Sequence, residues 1–459
     1  MIEDLLAARL QMAVSLGFHI LFSVAGMAMP LLMVLAEWRH QRTGDAVYRE
    51  LAQRWAKGTA ILFAVGAISG TVLSFELGLL WPTFMEHAGP LIGMPFSLEG
   101  LAFFLESIAL GIYLYGWDRV SPRVHLASGV VVAVSGAASG VLVIAVNAFM
   151  NTPQGFTRNA AGELTNVNLW EAFFTPAFPT QALHMLVAAY CSVGFAVLGI
   201  HAGCLWRRGH NRFHAAALKL TLPLLIVVTP LQALTGDLAA KHIAEHQPSK
   251  LAAAEALWET QRGAPLVIGG IPINGGRDVI LGLHVPKILS VMAKSDFDAE
   301  VTGLEDIPEG ERPPVLVTHL AFQVMVGAGF AMLALVAWAG WLWRKKHDLA
   351  RHRLFLVLAT LSGPLGLIAV EAGWCVTEVG RQPWIIRGVL LVSEAVTPMP
   401  GLVYSLLTSL TVYAFLGSVV AVLLYRHVVS VPIGASEGSA PPPATGFAAL
   451  DKGTKVPAE

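Results

Sequence analysis

Apolar runs of about twenty residues recur along the whole of this 459-residue chain, and a helix of that length matches the hydrocarbon thickness of a bilayer. Nine such runs are read, near residues 10–36, 58–80, 96–117, 124–147, 181–205, 216–236, 316–342, 354–372 and 402–425. In lipid no water is available to the backbone, so a segment of this kind satisfies its N–H and C=O groups internally, as a helix. The reading is an all-α membrane protein of nine transmembrane helices. Composition agrees: 55% of residues are hydrophobic, 13% are charged and the mean hydropathy is +0.62, outside the range of soluble globular chains. The first run is too long for a signal-peptide core and is read as a retained span.

The lysines and arginines between the runs set the expected orientation, because cytoplasmic loops hold the excess of positive charge. Alternate connections carry Arg39, Arg42, Arg49, Arg54 and Lys57, then Arg119 and Arg123, then Arg207, Arg208, Arg212 and Lys219, then Arg344 to Arg353, then Arg426. The short segments of the other set hold only Arg9, Arg158, Arg381 and Arg387. This predicts a periplasmic N-terminus and a cytoplasmic C-terminus, with helices 1–6 in residues 1–236 and helices 7–9 in 316–428. The intervening 237–315 is a periplasmic loop too long to be a mere connector. Within it, 249–260 reads as a helix and 263–276 as a Gly/Pro-rich piece. Residues 429–459, with Pro441 to Pro443, read as a disordered cytoplasmic tail. A formal net charge of -1 gives no reason to expect nucleic acid. Cys191, Cys204 and Cys375 lack C-x-x-C spacing, which excludes a disulfide framework, an iron–sulfur site and covalent c-type haem attachment.

Ionisable groups inside the runs are the candidates for function, since each costs roughly 2.5–3.5 kcal/mol at mid-bilayer. His19 lies mid-span, and as a haem ligand or as a helix-to-helix hydrogen bonder it reads equally well. His184 opens the fifth run, where hydrogen bonding is the better reading from the residue alone. Met325 could supply a thioether, yet by itself it is packing. Glu99 and Glu106, seven apart, share a helix face and could relay protons, and burying two acids for structure alone is costly. Glu371, near the outer end of the eighth span, could ligate iron, carry protons or snorkel to the interface. Lys250 and Glu255 on the loop helix could bind a quinol ring and take its proton. From their spacing alone they read as ordinary surface charge.

The segment from Glu371 through Trp374 to Gly380-Arg381-Gln382-Pro383-Trp384 resembles the signature of subunit I of cytochrome bd-type quinol oxidases. The resemblance runs on through His19, the Glu99/Glu106 segment, Asn147, His184, the 250–260 run and Val324-Met325-Val326-Gly327, covering the chain to about residue 428. It implies His184 and Met325 as axial ligands of a low-spin haem b near the outer surface. It places His19 and Glu371 on the two high-spin haems, without deciding which serves which. Glu99 and Glu106 would lie by that pair, with Ser107 and Asn147 close by, Trp374 in the haem environment, and Arg381 pairing with propionates. Lys250 and Glu255 would lie where quinol is oxidised. The short loop resembles the cyanide-insensitive branch, leaving open whether the oxygen-binding haem is a haem d or a further haem b. Gln323 stands where many members carry an arginine thought to stabilise the reduced low-spin haem, which should alter that haem's potential.

The function so implied is oxidation of ubiquinol or menaquinol at the periplasmic side and reduction of O2 to water with cytoplasmic protons. It is electrogenic without a pump, generating proton motive force in the bacterial inner membrane. A second membrane subunit would complete the heterodimer, with room for a small accessory subunit. The rival readings are a haem-containing quinol dehydrogenase that hands electrons to a partner, and a proton-coupled transporter, which would explain buried carboxylates but not the coexistence of His19, His184 and Met325.

Overall fold

The computed structural model describes residues 2–159 and 164–433. The chain opens with four long helices, α1 Ile2–Thr43, α2 Ala46–Leu80, α3 Pro82–Tyr115 and α4 Pro122–Asn151. A small excursion follows, with β1 Thr157–Arg158 paired to β2 Leu164–Thr165 and then α5 Leu169–Phe173. The bundle resumes with α6 Phe178–Arg208 and α7 Arg212–His246. The long loop holds α8 Pro248–Glu255, β3 Gln261–Arg262, β4 Leu266–Ile273, β5 Asp278–Val285, α9 Ile288–Lys294 and β6 Glu300–Val301. Then come α10 Val315–Arg344, α11 Arg353–Ser362, α12 Leu365–Val379, β7 Trp384–Ile386, β8 Leu390–Leu391, α13 Val392–Ala395 and α14 Leu402–Leu424.

Among the described residues nine helical segments are long and apolar enough to cross a membrane, α11 and α12 forming one of them. Eight of them contain one of the apolar runs, and the third, ending at Tyr115, stops two residues short of the run read at 96–117. The ends differ from the sequence reading: α3 begins at Pro82, well before 96, and α7 continues to His246, well past 236. A hydropathy window sees only the lipid-matched part of a helix, whereas these two extend beyond the hydrocarbon with polar outer turns. The tail reading falls mostly on residues 434–459, which lie outside the described residues.

Local chemistry explains the tight turns at the basic end. Asp45 accepts from Val47 N and caps α2, Ser121 accepts from Val124 N ahead of Pro122 in α4, and Asn211 accepts from Phe213 N at the start of α7. Arg49 pairs with Asp118, and Arg212 meets Asp45 at 2.7 Å, so the first three basic connections meet at one end of the bundle. At Gly363-Pro364 the eighth span breaks. There it packs backbone to backbone on α6: a Cβ on Gly199 would sit 2.6 Å from Gly363 Cα, and one on Gly366 2.4 Å from Ser192 Cα.

The loop is folded, not irregular. β4 and β5 form an antiparallel hairpin, in register from Leu266 with Val285 to Ile273 with Asp278. Its turn begins Asn274-Gly275, at φ +52° and +73°, where those two residue types pay least for left-handed backbone. β3 and β6 close the loop on itself.

Candidate functional site

Two polar regions stand out in the bundle, one at mid-depth and one under the loop. At mid-depth, α1, α2, α3 and α4 surround a cavity of about 140 Å³, lined by His19, Glu99 and Glu106 and reached by Trp374. The seven-residue spacing of the two glutamates does put both on one face. Glu99 Oε1 accepts from Ser139 Oγ at 2.9 Å. Glu106 lies between Gly26 and Gly136, and a Cβ on Gly136 would approach its Oε1 to 3.0 Å. Ser107 does not join this lining; its hydroxyl donates to Phe103 O in its own helix at 2.8 Å.

His19 meets a hydroxyl at each ring nitrogen. Ser69 Oγ lies 2.9 Å from His19 Nδ1, with Val65 O at 2.9 Å and Gly66 O at 3.1 Å as its backbone acceptors. Ser23 Oγ lies 2.8 Å from His19 Nε2 and 3.1 Å from His19 O. His184 has similar company on the next pair of helices, with Thr235 Oγ1 3.2 Å from Nδ1 and Gln232 Nε2 3.2 Å from Nε2.

Each of the four residues named as iron ligands faces a glycine on a neighbouring helix. Added Cβ atoms would stand 3.0 Å from His19 Cε1 at Gly70, 3.4 Å from His184 Cε1 at Gly236, 3.1 Å from Met325 Sδ at Gly373, and 3.2 Å from Glu371 Oε2 at Gly17. Among the described residues the buried Glu371 Oε1 and Trp374 Nε1 have no hydrogen-bond partner.

Under the loop the residues are joined one to the next. Lys250 Nζ donates to Asn151 Oδ1 at 2.5 Å, and Asn151 Nδ2 donates to Asn147 Oδ1 at 3.0 Å. Asn147 Nδ2 donates to Glu378 Oε1 at 2.6 Å, and Arg381 Nη2 reaches Glu378 Oε2 at 2.5 Å. This chain ties α8 to α4 and α12. Gly380 makes it possible, since a Cβ there would stand 2.9 Å from Lys250 Cγ. The surface-charge reading of the loop pair does not hold: Lys250 is 3% exposed and Glu255 2%. The helix that carries them ends at Glu255, short of 260, with Ala256 in left-handed backbone at φ +50°. Burial, then the Arg381 guanidinium, hold the Lys250 ammonium well below the usual lysine range. Burial pushes the Glu255 carboxyl up to about 8, and its Oε2 has no partner among the described residues. Arg381 is 5% exposed, with Nε and Nη1 likewise unpartnered.

Several residues of these regions escaped the sequence reading. Asn151 follows Asn147 by four residues, a second amide on the same face of an apolar helix, and Glu378 precedes Arg381 by three. Gln247, 1% exposed, has neither end of its amide bonded among the described residues. Glu76, held by Gln11 Nε2 and Ser15 Oγ at 2.8 Å each, and Glu37, 2.8 Å from His125 Nδ1, are further carboxylates in the bundle. Glu76 falls inside an apolar run, and the cost of an acid there was signal enough.

A bundle with nine helical segments able to span a membrane among the described residues, with histidine, methionine and carboxylate groups facing glycines and a buried arginine at its loop end, has the makings of a membrane cytochrome. Residues 7–432 match the family of cytochrome bd terminal oxidase subunit I, and this chain belongs to that family. It is 38% identical over 445 residues to a Bacillus subtilis protein assigned provisionally as a cytochrome bd menaquinol oxidase subunit I, covering 95% of this chain and 100% of that one. It is 27% identical over 456 residues to the cytochrome bd-II ubiquinol oxidase subunit 1 of Escherichia coli, covering 83% and 88%. The bd oxidase structure from Geobacillus thermodenitrificans superposes with a TM-score of 0.87 at 40% identity, over 94% of this chain and 99% of that one. The chain is thus a multi-pass membrane oxidoreductase of a haem-bearing family.

The residues present fit haem. Two imidazoles and a thioether, each held against a glycine of a neighbouring helix, are ligand types of haem iron, and the buried Glu371 Oε1 and Trp374 Nε1 have no hydrogen-bond partner among the described residues. The unpaired guanidinium N–H groups of Arg381 are donors suited to a carboxylate.

Proposed function

We propose that this chain is the haem-bearing, quinol-oxidising subunit of a terminal oxidase that reduces O2 to water. The observation that carries the proposal is the bonded chain from Lys250 to Arg381, with buried Glu255 on the same short helix, which couples the loop to the helix bearing Trp374 and Glu371. The named relatives oxidise menaquinol or ubiquinol, and this chain takes a quinol of that class.

Quinol oxidation releases two electrons and two protons, so the site needs a base near neutrality. Glu255, raised to about 8 by burial, takes a quinol proton, and Lys250 positions the ring oxygen. The loop lies at the end opposite the basic connections, which makes it periplasmic and places the protons outside. His184 and Met325 would hold the low-spin haem b, and His19 and Glu371 the two high-spin haems, one of them a haem d or a further haem b; Arg381 would pair with propionates, with Trp374 in the haem environment. When bound, the haems supply the one-electron carriers and the iron at which oxygen is reduced. Glu99 and Glu106, on the wall of the mid-depth cavity, deliver the protons consumed there from the cytoplasmic side, so charge separates across the bacterial inner membrane without a pump. Asn147 holds Glu378 against Arg381. The chain works as a heterodimer with subunit II of the oxidase, with a small accessory subunit as a further partner.

The test is the purified complex, assayed for oxygen uptake with a reduced quinol and by reduced-minus-oxidised spectroscopy. Quinol-dependent uptake is expected. Intact haem bands with no uptake would leave a quinol dehydrogenase in its place, and no b-type bands at all would end the haem reading. His184→Ala or Met325→Leu should remove the low-spin signal while the high-spin pair survives.

A further inference from the structure

Gln323 and His319, four residues apart on α10, lie on one helix face near the loop end. The Gln323 amide is fully engaged with backbone: Oε1 accepts from Gly269 N at 2.9 Å and Nε2 donates to Val267 O at 2.9 Å. This is the pairing a neighbouring strand would offer to β4, supplied here by one side chain. His319 is 0% exposed and bridges two parts of the loop, with Nε2 3.0 Å from Gly269 O in the hairpin and Nδ1 2.8 Å from Ala254 O in α8. Both partners are carbonyls, which only accept, so the single N–H of the neutral ring donates to one or the other of them. Ala254 is the residue before Glu255, and Gly269, at φ +68°, occupies backbone that a side chain would strain.

We propose that His319 and Gln323 form a clasp that fixes the β4–β5 hairpin and α8 to the first turns of α10, and thereby act as positioning residues for Glu255. The inference deepens the reading of the loop as the quinol-oxidising region and rests on it. It also reassigns Gln323. Its amide serves the loop, so its effect is on quinol binding, whereas the resemblance alone pointed to the low-spin haem's potential. The clasp accounts for a half-buried amide and a buried imidazole in a membrane helix, where such groups are costly unless bonded. It does so with backbone partners, which do not depend on side chains of the loop.

The experiment uses the purified, haem-loaded complex carrying Gln323→Leu or His319→Phe, with His319→Gln, which keeps N–H donors, as the rescue. Hydrogen exchange read by mass spectrometry over residues 264–273 and 250–258 should speed up by roughly tenfold or more in Gln323→Leu and His319→Phe, as expected for lost bonds at a locally opening segment. The KM for a short-chain quinol should rise several-fold with kcat changed little, and His319→Gln should recover part of both. The low-spin haem's bands and midpoint potential should stay at their unsubstituted values. Unchanged exchange in both segments overturns the clasp, and so does a shifted midpoint potential with unchanged exchange, which would put Gln323 at the haem. The quinol reading fails separately: if Glu255→Gln and Lys250→Ala leave turnover intact, the loop is not the quinol site, whatever the exchange data show.

Discussion

Glu255→Gln tests the chemistry proposed for the loop most directly, because burial of the carboxyl ties its proposed role as a base to a pH range. Its carboxyl is buried at 2% exposure and pushed up to about 8 from an ordinary value of 4.5. A base must be ionised to accept the quinol proton. With a value near 8, about one site in ten is ionised at pH 7 and about one in a hundred at pH 6. The kcat/KM for quinol should therefore rise close to tenfold per pH unit up to about 8 and then level off. Glutamine is nearly isosteric but cannot take the proton, so Glu255→Gln should lose on the order of 10²–10⁴ of the rate near the plateau and lose the slope as well. The assay is oxygen uptake with a water-soluble quinol from pH 5.5 to 9, corrected for autoxidation. Lys250 also titrates low, so Lys250→Ala must be run beside it: the rising limb should survive there and vanish only in Glu255→Gln. A flat profile in the unsubstituted protein, or the same limb in Glu255→Gln, refutes the assignment. Stability gives an independent reading. The folded value lies above the unfolded one, so between about 4.5 and 8 the folded loop binds more protons than the unfolded chain, and its stability falls as pH rises through that interval. Glu255→Gln, neutral throughout, should abolish that fall in a thermal melt followed by loop hydrogen exchange.

Two further substitutions probe the scaffolds. Asn151→Leu cuts the chain between Lys250 and Asn147 and leaves a buried ammonium without its acceptor, which should cost about 1–3 kcal/mol of local stability and impair quinol turnover more than haem content. Equal exchange protection around Lys250 in both proteins would show that the chain holds nothing. Ser69→Ala removes the hydroxyl bonded to His19 Nδ1 and should weaken retention of the haem proposed there by roughly 10–100-fold. Pigment extraction and spectroscopy should then show a loss confined to the high-spin bands, and full high-spin occupancy would count against a role for that hydroxyl.

What could be read before the fold was known followed what lipid penalises. Nine spans were legible because an apolar run in a bilayer has only one backbone solution, and His19, Glu99, Glu106 and Glu371 stood out because charge in oil needs a reason. From spacing alone Lys250 and Glu255 read as surface charge for the complementary reason: beyond the hydrocarbon a charged pair is unremarkable, and that α8 packs into the bundle end under the loop is a tertiary fact. Ser69 and Thr235 looked like ordinary helix hydroxyls, because their role depends on a ring nitrogen about fifty positions away in sequence. The hairpin was within reach. Asn274-Gly275 is a strong turn signal, but the glycines and prolines around it suggested an irregular segment.

The charge balance under the loop carries a last consequence. Lys250 and Arg381 are buried with Glu378 as the carboxylate bonded into their chain, and Glu255, on the same short helix as Lys250, tends to be neutral near pH 7. A cluster with more cation than anion is costly in a low dielectric, and the Arg381 guanidinium accordingly helps to depress the lysine, while Arg381 Nε and Nη1 have no partner among the described residues. A carboxylate arriving at Arg381 would lower both costs together, since Arg381 is the second cause of the lysine's depression after burial. If Arg381 pairs with propionates as proposed, they should raise the lysine's proton affinity through the guanidinium they neutralise, so haem loading and the protonation of the proposed quinol site would belong to one electrostatic unit.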